Sequence, residues 1–475
     1  MKDKMKKAFQ SRKFTGGAYA TVISVAVIAI VLLINFIFTE LDINFDTSSQ
    51  QLYTISDKSK ELVKDIEDEI TLYYLVELGN EDAQIVEVIN RFKQINNNIS
   101  VEYKDPILYP QFANQYVDHD ITQNSVIVVN ETQGRSKYVD YMDMYVFETD
   151  YNTYNYNVTA VDVEGQIVSA INYVITEDLP ILYSVVGHGE EGISDALRTL
   201  LDKVNITTKT LDTLSSESIP SDCSVLLINA PETDYNEDES RIIREYLQNG
   251  GNAIIFVNFM TKDLTNVSGL LEYYGTTMVD GFILEENPNY YVGEYRNQLL
   301  ANVINHEITS NVINSGKSVI APVSTGLETL KTARNTLIID TLLETNDTTY
   351  SRIDINSTNP NKLEDDIDGP FTIGTAIKET YSGVETNVIV YGTPFLVDDN
   401  LISSESVGNL DLLVNSVNYV TGREDSITIM PKSLRVERLF IKSSQVYLWG
   451  AITVFAIPLL ILSIGGVTVI RRRKK

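Results

Sequence analysis

Two long stretches without a single charge, one near each end of the chain, constrain this sequence more than any other feature. Ala18–Phe38 (AYATVISVAVIAIVLLINFIF) runs for 21 residues and Val446–Ile470 (VYLWGAITVFAIPLLILSIGGVTVI) for 25. At about 1.5 Å rise per residue, a helix of either length crosses the roughly 30 Å hydrocarbon layer of a bilayer. Pro458 is expected to kink the second helix, which a membrane tolerates, and Tyr447 and Trp449 stand at its leading end, where amphipathic rings favour the headgroup layer. A cleaved leader is the competing reading of the first run. Its apolar part exceeds the ~7–15 residues typical of leaders, and no small-x-small site follows in FTELDINFD.

Charge gives the two spans a direction. Lys2, Lys4, Lys6, Lys7, Arg12 and Lys13 precede the first run against one acid, Asp3, and Arg471, Arg472, Arg473, Lys474 and Lys475 follow the second. Basic flanks stay on the cytoplasmic side, so both termini are expected there, in a two-pass protein of the cytoplasmic (inner) membrane whose main body lies outside. That body is strongly acidic: it holds 26 of the 37 basic and 64 of the 65 acidic residues. Such a surface repels a phosphate backbone, which excludes nucleic acid as a partner. One cysteine and three histidines (119, 188 and 306) leave no material for a disulfide, an iron–sulfur cluster or a multi-cysteine zinc site. The expectation is therefore no metal and no cofactor.

The expected layout is a cytoplasmic N-terminus at 1–17, a span at 18–38, a first extracytoplasmic α/β domain at 40–178 and a second at 179–422. A juxtamembrane segment at 423–445, a span at 446–470 and a cytoplasmic tail at 471–475 complete it. In the first domain, ITLYYLV, ISVEY and SVIVVN read as strands, EDAQIVEVINRFKQI and VDVEGQIVSAINYVI as helices, PQFANQYV as helical, RSKYVDYMDMYVF as extended and DYNTYNYN as a loop. A thioredoxin-like arrangement fits this order, without the C-x-x-C that would give it redox chemistry. The second domain alternates ILYSVV, ISDALRTLLDKV, ITTKTLD, SVLLINA, EDESRIIREYLQ and NAIIFVN, which predicts a mostly parallel sheet covered on both faces. KSVIAPV, NTLIID and NVIVYG are later strands, NLDLLVNSVNYVTG a closing helix, and 345–369 a polar stretch rich in Asn and Asp.

The sharpest local motif is Gly187-His188-Gly189-Glu190-Glu191-Gly192, a formal G-x-G-x-x-G between a strand and a helix, with Asp212 ending the next strand. That is the context of a dinucleotide site, in which glycines admit a pyrophosphate and an acid takes the ribose. Glu190 and Glu191 put two anions where the pyrophosphate would sit, which argues against it. A plain glycine turn and a ligand crevice lined by Gly187, His188, Gly189 and Glu190 remain open. Other motifs fail on chemistry. Ser315-Gly316-Lys317-Ser318 ends like a phosphate loop, but Asn311 stands where glycine is needed; His306-Glu307 begins a zinc motif that Ser310 breaks. Asp42, Asn44 and Asp46 open like a calcium loop that Thr47 and Tyr53 spoil. Cys223 reads as a buried small residue. Six tyrosines (138, 141, 145, 151, 154 and 156) form either a glycan platform or ordinary strand packing.

Spread along the chain, LYTISDKSKELVKDIEDEITLYYL, YKDPILYPQFANQY, EGQIVSAINYVITEDLPILYSVVGHGE, IPSDCSVLLINAPETDYNEDESRIIREYLQNGGNAIIFVN, NVIVYGTPFLVDDN and GNLDLLVNSVNYVTGREDSITIMPK together resemble the GldG-type auxiliary proteins of ABC transporters, named from gliding motility. The resemblance implies a second domain of glutamine-amidotransferase-like (flavodoxin-like) fold and a non-catalytic subunit that works with a separate ABC ATPase and a multi-span permease. Its external body would contact substrate, envelope polysaccharide or partner subunits, and its spans the membrane lipid. Alternatives are a cell-surface glycan-binding or sensor module, or a surface hydrolase or dinucleotide-binding enzyme centred on GHGEEG.

Overall fold

The computed structural model describes residues 54–150, 155–359, 361–404, 406–423 and 431–434, with 19, 22–33, 36, 52, 429, 452 and 457–459 in isolation. Residues 22–33 are helical with every side chain exposed, an unusual state for a run of Val, Ile and Leu. Among the described residues no helix is long and apolar enough to cross a membrane; part of the first apolar run and most of the second lie outside them. Tyr447, Trp449 and the calcium-loop mimic at Asp42–Asp46 are also outside.

The first unit is a four-stranded sheet. β1 (Ile70–Leu75) and β2 (Ile99–Lys104) run parallel through a crossover, while β3 (Ser125–Asn130) and β4 (Arg135–Val139) are antiparallel, in the order β2-β1-β3-β4. The helices are α1 (Asp57–Lys64), α2 (Ala83–Ile95) and α3 (Val163–Ile175). Ser56 caps α1 and Asp82 caps α2, each side chain accepting from first-turn amides that would otherwise be orphaned. All six residues of β3 are buried because both faces are covered. Ile85, Ile89, Phe92, Ile167 and Ile171 pack against Leu72, Val126 and Val128 on one side; Leu75, Ala113, Ile127 and Val129 fill the other. PQFANQYV holds only a short 3-10 turn at Ala113–Gln115, not a helix. DYNTYNYN is not simply a loop: β5 (Tyr145–Asp150) and β6 (Asn155–Val161) form a hairpin across it, and the tip at 151–154 lies outside the described residues.

The second unit departs from a mostly parallel sheet. β7 (Ile181–Val186), β8 (Thr207–Asp212), β9 (Val225–Asn229) and β10 (Ala253–Phe256) are parallel, in the order β8-β7-β9-β10, and Val384–Tyr391 adds parallel to β10. From there the sheet continues antiparallel through Thr372–Tyr381, Leu337–Glu344, Gln298–Val303 and Val319–Pro322. The change of direction comes from a two-residue turn: Ser382 and Gly383 both take positive φ, +52° and +82°, which matches the twist of a tight hairpin. Helices α4 (Asp195–Lys203) and α7 (Asn409–Val420) cover one face, and α5 (Glu237–Gln248) and α6 (Thr265–Tyr273) the other.

The Asn- and Asp-rich stretch is folded around Arg352, 2% exposed, which pairs with Asp366 at 2.9 Å and donates to the carbonyls of Asn359 and Asn361. Its strand Thr349–Arg352 pairs with Phe282–Glu285 in a small side sheet. The two units meet along α3: Lys203 pairs with Asp162, and the Asn205 amide donates to the Ser169 carbonyl at 2.9 Å.

Candidate functional site

The GHGEEG loop leaves the carboxyl end of β7, where open α/β sheets commonly form a crevice. Gly187 and Gly189 take φ of +122° and +81°, conformations that L side chains avoid, and a Cβ on Gly189 would lie 2.9 Å from the Cβ of Glu232. The loop is thus folded back on itself: the His188 carbonyl accepts from the amides of Glu232 and Thr233 at 2.9 and 3.0 Å.

This turns His188 and Glu190 inward. His188 is 6% exposed; its Nε2 lies 3.2 Å from Glu239 Oε2, and its Nδ1 is 3.8 Å from Glu190 Oε1, too far for a hydrogen bond. Glu190 accepts from the His188 amide at 2.7 Å and from the Tyr235 hydroxyl at 3.1 Å, and the Tyr235 ring meets the imidazole edge-on at 4.8 Å. Burial, reinforced by the Glu190 charge, pushes the Tyr235 phenol well above its ordinary range, so it stays a hydrogen donor. Glu239 is the third residue of α5 and closes a capping box with Asn236, while Thr213 donates to its Oε1 at 2.7 Å.

The sequence-predicted residues therefore do come together, with Glu239, Tyr235 and Thr213 added by the fold. Chemically the arrangement is a carboxylate–imidazole pair, and its polar atoms tie the β7 loop to the start of α5. Ser194 caps the helix after the loop, α4, by accepting from the Leu197 amide at 3.1 Å, and donates to Asp399 at 2.5 Å. Asp212 accepts from the Leu214 amide at 3.1 Å.

The remaining candidates are engaged elsewhere. Lys317 pairs with Asp411 at 2.7 Å, and Gly316 is the left-handed end of a short helix. The His306 ring accepts from the Ile308 amide at 3.1 Å. Cys223 is half-buried against Tyr246, its Sγ 3.4 Å from the phenol, and burial pushes its thiol up. Among the described residues no cluster of His, Cys, Asp and Glu can hold a metal ion. Tyr145 and Tyr141 point at the capping carboxylate of Asp82, at 2.8 and 3.4 Å, and Tyr138 donates to Ser125 and Asp140. Three of the six tyrosines are thus packing and capping groups; Tyr156 is exposed, and Tyr151 and Tyr154 lie outside the described residues.

A second polar cluster, which no motif announced, sits at the start of α3. Glu164, 4% exposed, accepts from the Ser56 amide at 2.7 Å and the Ser59 hydroxyl at 2.5 Å and pairs with Lys432 at 2.8 Å. Lys432 also donates to the Thr54 carbonyl, and Lys432–Ser433 adds a strand to β6. Burial alone would raise the Glu164 carboxyl, but the bonds from Lys432, Ser59 and Ser56 outweigh it and hold it below the usual range. The segment expected to run straight to the membrane therefore first returns to the first unit, next to where the chain comes in.

The fold is thus a two-unit mixed α/β body. Residues 182–416 match the family described as ABC-type uncharacterized transport system, and residues 49–146 match a domain of unknown function (DUF7088). The first of these supports an auxiliary role in an ABC transporter and points to transport rather than catalysis. No curated protein matches. Among solved structures, the chain is similar to the mmIFT52 N-terminal domain (16% identity, TM-score 0.39, covering 51% of this chain and 97% of that one). It is also similar to PurLQS from Thermotoga maritima (10% identity, TM-score 0.29, covering 51% and 99%). Likenesses this distant leave the fold to be read from the strand order itself.

Proposed function

We propose that this chain is a non-catalytic, GldG-type auxiliary subunit of an ABC transporter, held in the cytoplasmic membrane by residues 18–38 and 446–470 with both termini inside. Its acidic body stands outside and contacts substrate, envelope polymer or partner subunits, while a separate ATPase and a multi-span permease perform transport. The observation that carries this reading is the clasp on Glu164. A protein tethered by two spans must bring its inbound and outbound segments to one place, and Thr54 and Lys432, 378 positions apart, touch there. The exposed apolar helix at 22–33 and the family match over 182–416 agree with it. The order β2-β1-β3-β4 supports a thioredoxin-like reading of the first unit, with a Tyr- and Asp-lined polar network where redox cysteines would stand.

Gly187, His188, Gly189 and Glu190 keep a ligand role in this proposal in a narrower form. The two buried side chains set the shape of the crevice edge, and contact is made by the loop backbone.

Purification from native membranes in mild detergent is expected to recover an ABC ATPase and a multi-span permease with this chain. Repeated recovery of the chain alone would contradict the proposal.

A further inference from the structure

Apolar side chains left in water are scattered over the second unit but not over the first. Among the described residues of the first unit, the large exposed hydrophobics are Leu78, Tyr103, the run Ile107, Leu108 and Tyr109, and Met142, with Val146, Tyr156 and Val158 on the β5–β6 hairpin and Leu434 on the segment paired with it. Leu78 is 84% exposed and Leu108 70%. None lies on a helix face or at the amino end of the sheet: Leu78 follows β1, Tyr103 and 107–109 end or follow β2, and the others belong to the 3-10 turn and hairpin after β4 or to the segment paired with that hairpin.

That end of the unit is also where the chain comes in and goes out. Asp82 caps α2 at the carboxyl end of β1 and accepts from Tyr145 at the start of β5; the Asp162 amide, just before α3, donates to the Met144 carbonyl at 2.8 Å. The far end of α3 lies at the opposite edge, where Asn130, facing Ile70, donates to the Val174 carbonyl at 3.1 Å. Glu164 and the two segments it clasps therefore share an end with the exposed apolar loops. Leu434 and Val446 are twelve positions apart, a reach of at most about 40 Å.

The 105–110 loop is built to project its side chains. Asp105 Oδ1 accepts from the amides of Ile107 and Leu108 at 2.8 and 3.2 Å, the Tyr109 amide returns to the Asp105 carbonyl at 2.9 Å, and Pro106 and Pro110 stiffen the turn. Two aliphatic side chains followed by a tyrosine suit the boundary between headgroups and acyl chains. A body of such negative charge gains nothing from anionic headgroups, so its hold on a bilayer has to be apolar.

We propose that the loop Ile107-Leu108-Tyr109, with Leu78 beside it on the neighbouring strand end, seats in the lipid interface of the outer leaflet and fixes how the body stands on the membrane. This rests on the two-span reading above, and the test separates the two. The full-length protein, with its only cysteine removed as Cys223→Ser, is given Leu108→Cys, Leu78→Cys or Tyr381→Cys, labelled with an environment-sensitive nitrobenzoxadiazole dye and reconstituted into phosphatidylcholine vesicles containing brominated lipid. Trp449, the sole tryptophan, reports on the span. The dye at 108 and at 78 should be quenched at least about twofold more than at 381, with Trp449 also quenched. Quenching of Trp449 with 108 and 78 no more quenched than 381 overturns the seating and leaves the spans standing, as would be expected if these loops meet the permease instead. Absence of quenching at Trp449 overturns both.

Discussion

The two units each bury a carboxylate cluster, and the clusters do opposite jobs. In the first, Glu164 gathers partners from distant parts of the chain: Ser56 and Ser59 from its beginning and Lys432 from its end. In the second, Glu190 and Glu239 hold one histidine, and their bonds fix the β7 loop on the start of α5, with Thr213 and Tyr235 as further donors. Glu164 balances its burial with a lysine and two donors, whereas His188 keeps Nδ1 without a partner. The difference teaches that buried charge here joins distant segments of the chain in the first unit and fixes local shape in the second.

The contrast can be broken most forcefully at the clasp. Glu164→Ala strands Lys432 and both serines, and removing one partner of a buried pair costs about 3–5 kcal/mol. Denaturant unfolding should show this loss in the first unit, and protease should newly cut near residues 52–56 and 431–434. At the other cluster, Glu239→Ala removes the capping box, the Thr213 acceptor and the partner of His188 Nε2, for about 2–3 kcal/mol. Copurification with transporter subunits should survive in the folded fraction, since this cluster shapes a loop; loss of partners at unchanged stability would make it a contact site. Gly189→Ala, forced into φ of +81° against Glu232, should cost about 1–2 kcal/mol and shift the melting temperature by a few degrees.

The smallest expected effect is in the pH profile. Because the folded Glu164 carboxyl sits below its unfolded value, its contribution is fully present above the usual glutamate range. It is lost as pH falls through the lowered native value. Wild type should therefore lose more stability on acidification through that window than Glu164→Gln does. Parallel curves would mean the ion pair contributes nothing measurable.

Much of the architecture was legible beforehand because it is local. Buried strands such as SVIVVN and VLLIN announce themselves as apolar runs, and Asp82, Ser194 and Asn236 stand where helix starts require caps. Of the long hairpin Thr372–Tyr381 and Val384–Tyr391 only NVIVYG was read as a strand; the turn at Ser382-Gly383 and its effect on sheet direction were not, because that effect depends on where the hairpin docks. DYNTYNYN misled because tyrosine and asparagine suit a turn as well as a twisted hairpin. Gly187, His188, Gly189 and Glu190 were visible as a motif; the burial of the His188 and Glu190 side chains was not, since Glu239 and Tyr235 come from the connection between β9 and β10. Glu164 gave no signal at all, because its partners Ser56 and Lys432 are brought to it only by the completed fold.

Topology is what the proposed role depends on most, and site-specific labelling reaches it directly. Single cysteines at Tyr381 on the body and at Lys475 on the tail, each in the Cys223→Ser background, would be exposed to a membrane-impermeant maleimide on intact protoplasts. Labelling at 381 without lysis, and at 475 only after it, is the expected result. Labelling of 475 on intact protoplasts with 381 protected would contradict an external body clasped above two spans.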